Sequence, residues 1–240
     1  MAEPVELPDH RPVADKDAAL VQRMFDRVAP RYDVANTVFS LGLDHHWRAV
    51  TVAALAPTPG MVVVDVAGGT GALAELIAAR GARVVVADLS YEMIRVGTTR
   101  VGSSVDWAVA DALRLPLPDA SVDAVTIAFG LRNLNDTHAG LAEFHRVVRP
   151  GGRLAVLEFS RPVRPLVDTL YRRGVLGMLP RAARLFTSDP AAYGYLARSI
   201  AAWPDQRRLA RVIGAAGWAG VRWKNLTGGI VALHSAVRPG

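Results

Sequence analysis

Apolar positions along the 240-residue chain change period several times, and the changes predict its elements. Residues 18–29 place Leu20, Met24 and Val28 four apart, the spacing of one helix face. A second helix is expected from residue 44 to 56, stopped by Pro57. From Met61 onward, short unbroken apolar runs alternate with helical stretches. Strands are expected over 61–66, 83–88, 105–108, 122–128 and 153–158, with helices over 72–80, 91–101 and 138–148. Gly81 ends the first of these helices, and Pro150-Gly151-Gly152 closes the last. Apolar strands separated by helices of about ten residues imply βαβ units and a parallel sheet. Residues 163–185 break that rhythm: Leu166, Leu170 and Tyr171 recur at helical spacing with Arg172 and Arg173 on the polar side. A helix over 205–216 follows. Residues 220–225 and 230–236, joined through Leu-Thr-Gly-Gly, read as a hairpin.

Composition narrows the class. With 51% hydrophobic and 21% charged residues the chain can bury a full core, which excludes disorder. The absence of cysteine removes thiol nucleophiles, disulfides and zinc–thiolate or iron–sulfur sites, and no metal is expected. The polar, proline-marked first twenty residues do not read as a signal peptide, and no apolar run reaches the roughly 18 residues of a membrane span. A soluble or peripheral protein is expected, cytoplasmic or at the inner face of the membrane. Residues 1–17 are expected to be a flexible tail. Residues 18–240 are expected to form a single domain, with helical caps at 18–57 and 160–204. Charge is uneven: residues 160–224 carry +9 net and the remainder −3, within a chain total of +6. A basic late segment on a near-neutral body suits an anionic surface.

The strongest chemical signal is Val63-Val64-Asp65-Val66-Ala67-Gly68-Gly69-Thr70-Gly71. A strand ends in an acid, a glycine-rich turn follows, then a helix whose amino end offers free N–H groups. Asp88 closes the next strand, nineteen residues after Gly69, where an acid accepts hydrogen bonds from ribose hydroxyls. Asp111-Ala112 follows the third strand, where a carboxylate can accept from an adenine amino group. Gly69-x-Gly71-x-x-Ala74 also fits a dinucleotide fingerprint, which keeps a nicotinamide-dependent oxidoreductase as the alternative from another class. A pyrophosphate, however, would sit badly beside Asp65, whereas the sulfonium and α-ammonium of S-adenosylmethionine would gain from it. The terminal hairpin also favours the methyl donor. A nucleic-acid role ranks low, since the sequence lacks an aromatic–basic patch.

Longer motifs carry a resemblance. They include Phe25-Asp-Arg-Val-Ala-Pro-Arg-Tyr32-Asp33-Val-Ala-Asn36 and Trp47-Arg48, and the most specific pieces are Phe129-Gly-Leu-Arg132-Asn133, Leu157-Glu158-Phe159-Ser160, Ser199-Ile-Ala-Ala-Trp-Pro204-Asp205-Gln206 and Asn225-Leu-Thr-Gly-Gly-Ile-Val-Ala-Leu-His234. With them the chain resembles the ubiquinone/menaquinone biosynthesis C-methyltransferase family (UbiE/MenG), from about Met24 to His234. The resemblance implies an α/β fold. Its sheet would be seven-stranded and doubly wound, of the class I S-adenosylmethionine-dependent methyltransferase type, with the last strand antiparallel. It implies S-adenosylmethionine as donor and a prenylated quinol as acceptor. Demethylmenaquinol is the expected acceptor, with a methoxy-polyprenyl-benzoquinol as the alternative. Thr70, Asp88 and the Asp111-Ala112 pair match the family's donor-binding positions. Two departures stand out: Asp44 where many relatives carry histidine, and Ala128 where a serine usually stands.

Together these readings assign Asp65, Gly69, Thr70, Asp88, Asp111 and Ala112 to the donor. Arg132, Asn133, Tyr195, Asp33 and Asp44 are candidates for contact with the acceptor ring. Arg132 stays protonated and would stabilise a phenolate, Asn133 would orient the ring, and Asp33 or Asp44 would take the proton. The arginines of 163–185 are expected to face anionic lipid.

Overall fold

The computed structural model describes residues 18–163 and 190–240. The tail at 1–17 and nearly all of the amphipathic stretch at 163–185 lie outside the described residues.

Three helices lead into the sheet: α1 (Ala18–Val28), α2 (Tyr32–Phe39) and α3 (Leu43–Leu55). The α/β alternation then runs β1 (Val62–Val66), α4 (Ala72–Ala78), β2 (Arg83–Asp88), α5 (Tyr91–Val101), β3 (Asp106–Val109), β4 (Val122–Ala128), α6 (Thr137–Val147) and β5 (Val148–Phe159). The described chain ends with α7 (Pro190–Ala202), α8 (Gln206–Ala215), β6 (Ala219–Leu226) and β7 (Val231–Val237). The seven strands lie in the order β3-β2-β1-β4-β5-β7-β6. β1 to β5 pair in parallel, and β7 runs antiparallel to both β5 and β6. The fold is the doubly wound one expected, with its last strand reversed.

Each face of the sheet has its own apolar layer. On one, Leu141 and Phe144 of α6 and Leu209 and Ile213 of α8 pack on Val125, Ile127 and Val156. On the other, Trp47, Val52 and Leu55 of α3 and Leu73 and Ile77 of α4 pack on Val63, Val84 and Val86. Phe144 is fully buried, and its removal to alanine costs about 3–5 kcal/mol of stability. The two layers hold the carboxyl ends of β1, β2 and β4 side by side, where open α/β sheets bind ligands.

Two elements depart from the expected pattern. β5 starts at Val148, so Pro150-Gly151-Gly152 lies inside the strand as a register shift rather than in a helix–strand loop. Arg238 closes that bulge: its N–H donates to the Gly152 carbonyl (2.9 Å), and its own carbonyl accepts from Gly151 N–H (2.9 Å). α7 falls within the 160–204 stretch expected to be a helical cap, where no individual helix limits are legible around it.

Candidate functional site

β1 ends at Val66 and the chain then turns sharply. Ala67 takes φ +49° and Gly69 φ +57°, left-handed values that a side chain resists and glycine does not. A Cβ on Gly68 would lie 2.9 Å from both the Asp65 carbonyl and its Oδ2. Phe129, just past β4, is also left-handed at φ +56°. Such strained non-glycine residues persist where the surroundings over-determine them, and they cluster at ligand sites. Here Ala67 and Phe129 wall the same cavity.

That cavity, about 350 Å³ of empty space partly open to solvent, is lined by Asp65, the Gly68–Thr70 turn, Ala128 and Phe129 from the sheet tips, and by Tyr32, Asp33 and Arg48 from the helices above. Asp65 is 1% exposed. The Thr126 hydroxyl donates to its Oδ1 at 2.6 Å, and its Oδ2 meets no hydrogen-bond partner among the described residues. Burial pushes the Asp65 carboxyl up to about 7, against the lowering effects of Thr126, Arg48 and the Ala74 amide. The expected full negative charge beside the glycine loop is therefore corrected: in the donor-free fold Asp65 is close to half ionised at neutral pH, and a cation placed beside it draws the charge out.

The other donor-binding candidates surround this point at different distances. Thr70 lies in the cavity wall, and its hydroxyl donates to Asp33 Oδ1 at 2.7 Å. Arg100 braces that corner, donating to the Thr70 carbonyl at 2.9 Å and standing 3.5 Å from Asp33 Oδ2. Asp88 is behind the wall: its Oδ2 accepts Gly69 N–H and its Oδ1 accepts Ser90 N–H, each at 2.8 Å. Burial raises its carboxyl, and those two amides hold the rise in check. Each oxygen keeps a second lone pair for a ribose hydroxyl. α1 crosses this end of the sheet, where Gln22 donates to the Leu89 carbonyl at 3.1 Å and the Ser90 hydroxyl donates to Asp26. Asp111 is exposed at the tip of β3, its Oδ1 accepting from Leu113 N–H at 2.9 Å, with Ala112 buried beside it. Neither lines the cavity.

On the acceptor side the structure changes two roles. Arg132 is 5% exposed and paired with Glu158, Nη1 to Oε1 at 3.0 Å, while also donating to the Phe129 carbonyl. Its guanidinium lies 5.3 Å from the centre of the Phe159 ring. It fixes the turn after β4. Asp44 was a candidate base, and the structure corrects this. Burial acts to raise its pKa, but hydrogen bonds from Arg48 and Ser40 hold it below the usual carboxylate range. A carboxylate kept ionised by an adjacent guanidinium is a poor proton acceptor. It also stays outside the cavity wall. Asn133 does reach a second candidate: its Oδ1 accepts from the Tyr195 hydroxyl at 3.3 Å. Burial raises the Tyr195 phenol. Phe129 stands between Trp47 and Phe159, ring centres 5.8 and 5.0 Å away, and closes one side with an aromatic wall. His234 is buried in the core, with Nε2 2.9 Å from the Gln206 carbonyl.

Arg48 is a cavity residue that the sequence reading misses. It sits on the buried face of α3 with Asp44, Trp47 and Thr51. A charged pair spaced i, i+4 on the apolar face of a helix was the available signal.

The family model described as the ubiE/COQ5 methyltransferase family matches residues 13–238. The chain belongs to this family. It is 55% identical over 229 residues to a demethylmenaquinone methyltransferase of Mycobacterium sp. (strain JLS), covering 95% of this chain and 98% of the relative. The enzyme of the same name from Corynebacterium kroppenstedtii is 50% identical over 229 residues, covering 95% and 99%. Among solved structures, a Thermotoga maritima S-adenosylmethionine-dependent methyltransferase, described as a possible histamine N-methyltransferase, superposes with a TM-score of 0.65. That match covers 90% of this chain and 99% of the other, and at 16% identity it speaks for the fold alone.

The residues fit the family's donor. An unpaired carboxylate oxygen in the cavity calls for a cation or a hydrogen-bond donor, and S-adenosylmethionine brings an α-ammonium. The glycine turn leaves the space a backbone-hugging ligand needs. Among the described residues no three acidic or histidine side chains gather as a metal site would require.

Proposed function

We propose that the protein transfers a methyl group from S-adenosylmethionine to a ring carbon of demethylmenaquinol, giving menaquinol. The observation that carries this reading is the cavity at the tips of β1 and β4, where Asp65 presents an oxygen without a hydrogen-bond partner among the described residues, beside the Gly68–Thr70 turn. Membership of the methyltransferase family and relatives of that name at 50–55% identity support the same reaction.

When bound, S-adenosylmethionine supplies a methyl group made electrophilic by its sulfonium. Asp65, Gly69 and Thr70 would hold the amino-acid end, Asp88 the ribose, and Asp111 with Ala112 the adenine. Asp88 also pins the glycine turn through Gly69 N–H, so one carboxylate shapes the loop and receives the sugar. Phe129, backed by Trp47 and Phe159, would exclude water and offer flat apolar surface to an aromatic ring. Asn133, steadied by Tyr195, would bond a ring oxygen and set the reacting carbon toward the methyl group. Arg132 would act by holding the Phe129 turn and by its positive field. Asp33, which lines the cavity and is held more loosely by Arg100 than Asp44 is by Arg48, is the proton acceptor in this scheme. Alignment of two reactants is worth about 7–11 kcal/mol of barrier, which makes positioning the main task.

An acceptor with an isoprenoid tail resides in a bilayer. No helix of the described residues is long and apolar enough to cross a membrane. We place the enzyme at an anionic membrane surface; sedimentation with vesicles of increasing anionic-lipid content should carry down more protein, and indifference to lipid charge contradicts this. For the reaction itself, purified protein is incubated with methyl-labelled donor and either demethylmenaquinol or a methoxy-polyprenyl-benzoquinol. Mass spectrometry should find label on the demethylmenaquinol ring. Label on the benzoquinol alone would reassign the acceptor, and no labelled lipid would refute the function.

A further inference from the structure

The cavity is lined by three charged side chains, Asp33, Asp65 and Arg48, and the scheme above gives Arg48 no role. Arg48 is 8% exposed and lines the cavity together with Asp65. A buried guanidinium is costly unless paired and hydrogen-bonded. Asp44, one turn earlier on α3, takes one Nη1 hydrogen bond, and the Ser40 hydroxyl anchors the other Asp44 oxygen at 2.9 Å. That is the hydrogen bond Arg48 makes among the described residues, out of five N–H groups in a rigid fork. Arg48, Asp65 and Tyr32 line the same cavity, and the guanidinium's field acts on both of the other two. The site therefore presents a fixed carboxylate oxygen and a fixed guanidinium across one small space, the complement of a zwitterion.

We propose that Arg48, held by Asp44 and Ser40, binds the α-carboxylate of the donor's methionine end while Asp65 takes its α-ammonium. The inference rests on the reading that this cavity accepts S-adenosylmethionine. The Asp44–Arg48 pair then has a purpose beyond folding. Asp44 leaves the fork oriented and its remaining donors available, and a lysine with a single point charge could not reproduce that. Specificity follows as well: a nucleoside lacking the amino-acid carboxylate leaves Arg48 unsatisfied, and a diphosphate meets Asp65.

Calorimetric titration of the intact protein with S-adenosylmethionine and with its decarboxylated analogue tests the assignment. The wild-type protein should prefer the carboxylate-bearing donor by about tenfold to a hundredfold, the range of a charge-assisted hydrogen bond. Arg48→Met should reduce the affinity for S-adenosylmethionine by that factor and leave the analogue's affinity unchanged, so that the preference disappears. A purely structural Arg48 would weaken both ligands alike and keep the preference, which overturns the inference. If the single variant fails to fold with Asp44 left unpaired, the double variant Asp44→Leu/Arg48→Met removes both buried charges and should show the same loss of preference. Wild-type protein that binds both ligands equally also overturns it. Wild-type protein that binds neither refutes the donor reading instead.

Discussion

Asp65→Asn should stabilise the donor-free protein at pH 8 and do little at pH 4. In the native fold burial pushes the Asp65 carboxyl up to about 7, from an ordinary 3.8. The folded state thus keeps a proton that the unfolded chain releases between those values. Stability associated with this proton is present below the unfolded pKa and is lost as pH rises through the folded one. At 1.36 kcal/mol per pH unit, the cost of ionising Asp65 in place approaches about 4 kcal/mol by pH 8. At pH 4 it is below about 1 kcal/mol. An asparagine keeps the acceptor for the Thr126 hydroxyl and carries no charge. Its amide nitrogen stands where Oδ2 had no partner, a cost independent of pH. The variant-minus-wild-type difference should therefore grow by about 3–4 kcal/mol between pH 4 and pH 8. For a chain of this size that is on the order of 10 °C in Tm. Circular-dichroism melts across that range, without donor, read it directly. A difference that stays flat, or one that favours wild type as pH rises, refutes the claim that Asp65 is held nearly neutral by burial.

The same titration should govern the ligand. Wild-type affinity for S-adenosylmethionine should fall about tenfold from pH 8 to pH 6 as the ionised fraction of Asp65 shrinks, and Asp65→Asn should bind poorly with no such slope, as calorimetry can show. Glu158→Ala removes the carboxylate paired with the buried Arg132 and should cost about 3–5 kcal/mol in urea unfolding. Asp88→Ala should abolish donor binding with the melting profile still cooperative, since it removes both the sugar's acceptor and the bond that holds Gly69. Gly97→Ala puts a Cβ 2.3 Å from the Trp107 ring and should destabilise by about 1–3 kcal/mol, read as an earlier denaturation midpoint.

The sheet was legible because its strands are buried on both faces and so read as unbroken apolar runs. β2 and β4 match their expected limits, and β1 begins one residue later than expected. The glycine turn was legible because only a narrow set of residues tolerates its backbone. β5 was harder. Pro150-Gly151-Gly152 has the composition of a helix-ending loop, and only the partner carbonyl and amide of Arg238 make it a bulge within a strand. Of the site, Asp65, Gly69 and Thr70 fell where strand ends and glycine spacing put them. The role of Asp44 has its signal in Arg48 one helical turn on, whereas that of Arg132 depends on Glu158, on a neighbouring strand far along the chain, which no local pattern points to. A residue's charge is visible in a sequence, whereas the pairing that decides whether it binds, donates or anchors is made by packing.

A crystal structure of the protein soaked with S-adenosylmethionine addresses the binding chemistry itself. The density should place the amino-acid end between Asp65 and Arg48, the ribose hydroxyls on Asp88, and the sulfonium methyl pointing toward the Phe129 and Asn133 side. Density for the nucleoside elsewhere, or a cavity that takes up NAD with its diphosphate on the Gly68–Thr70 turn, would contradict the methyl-transfer chemistry.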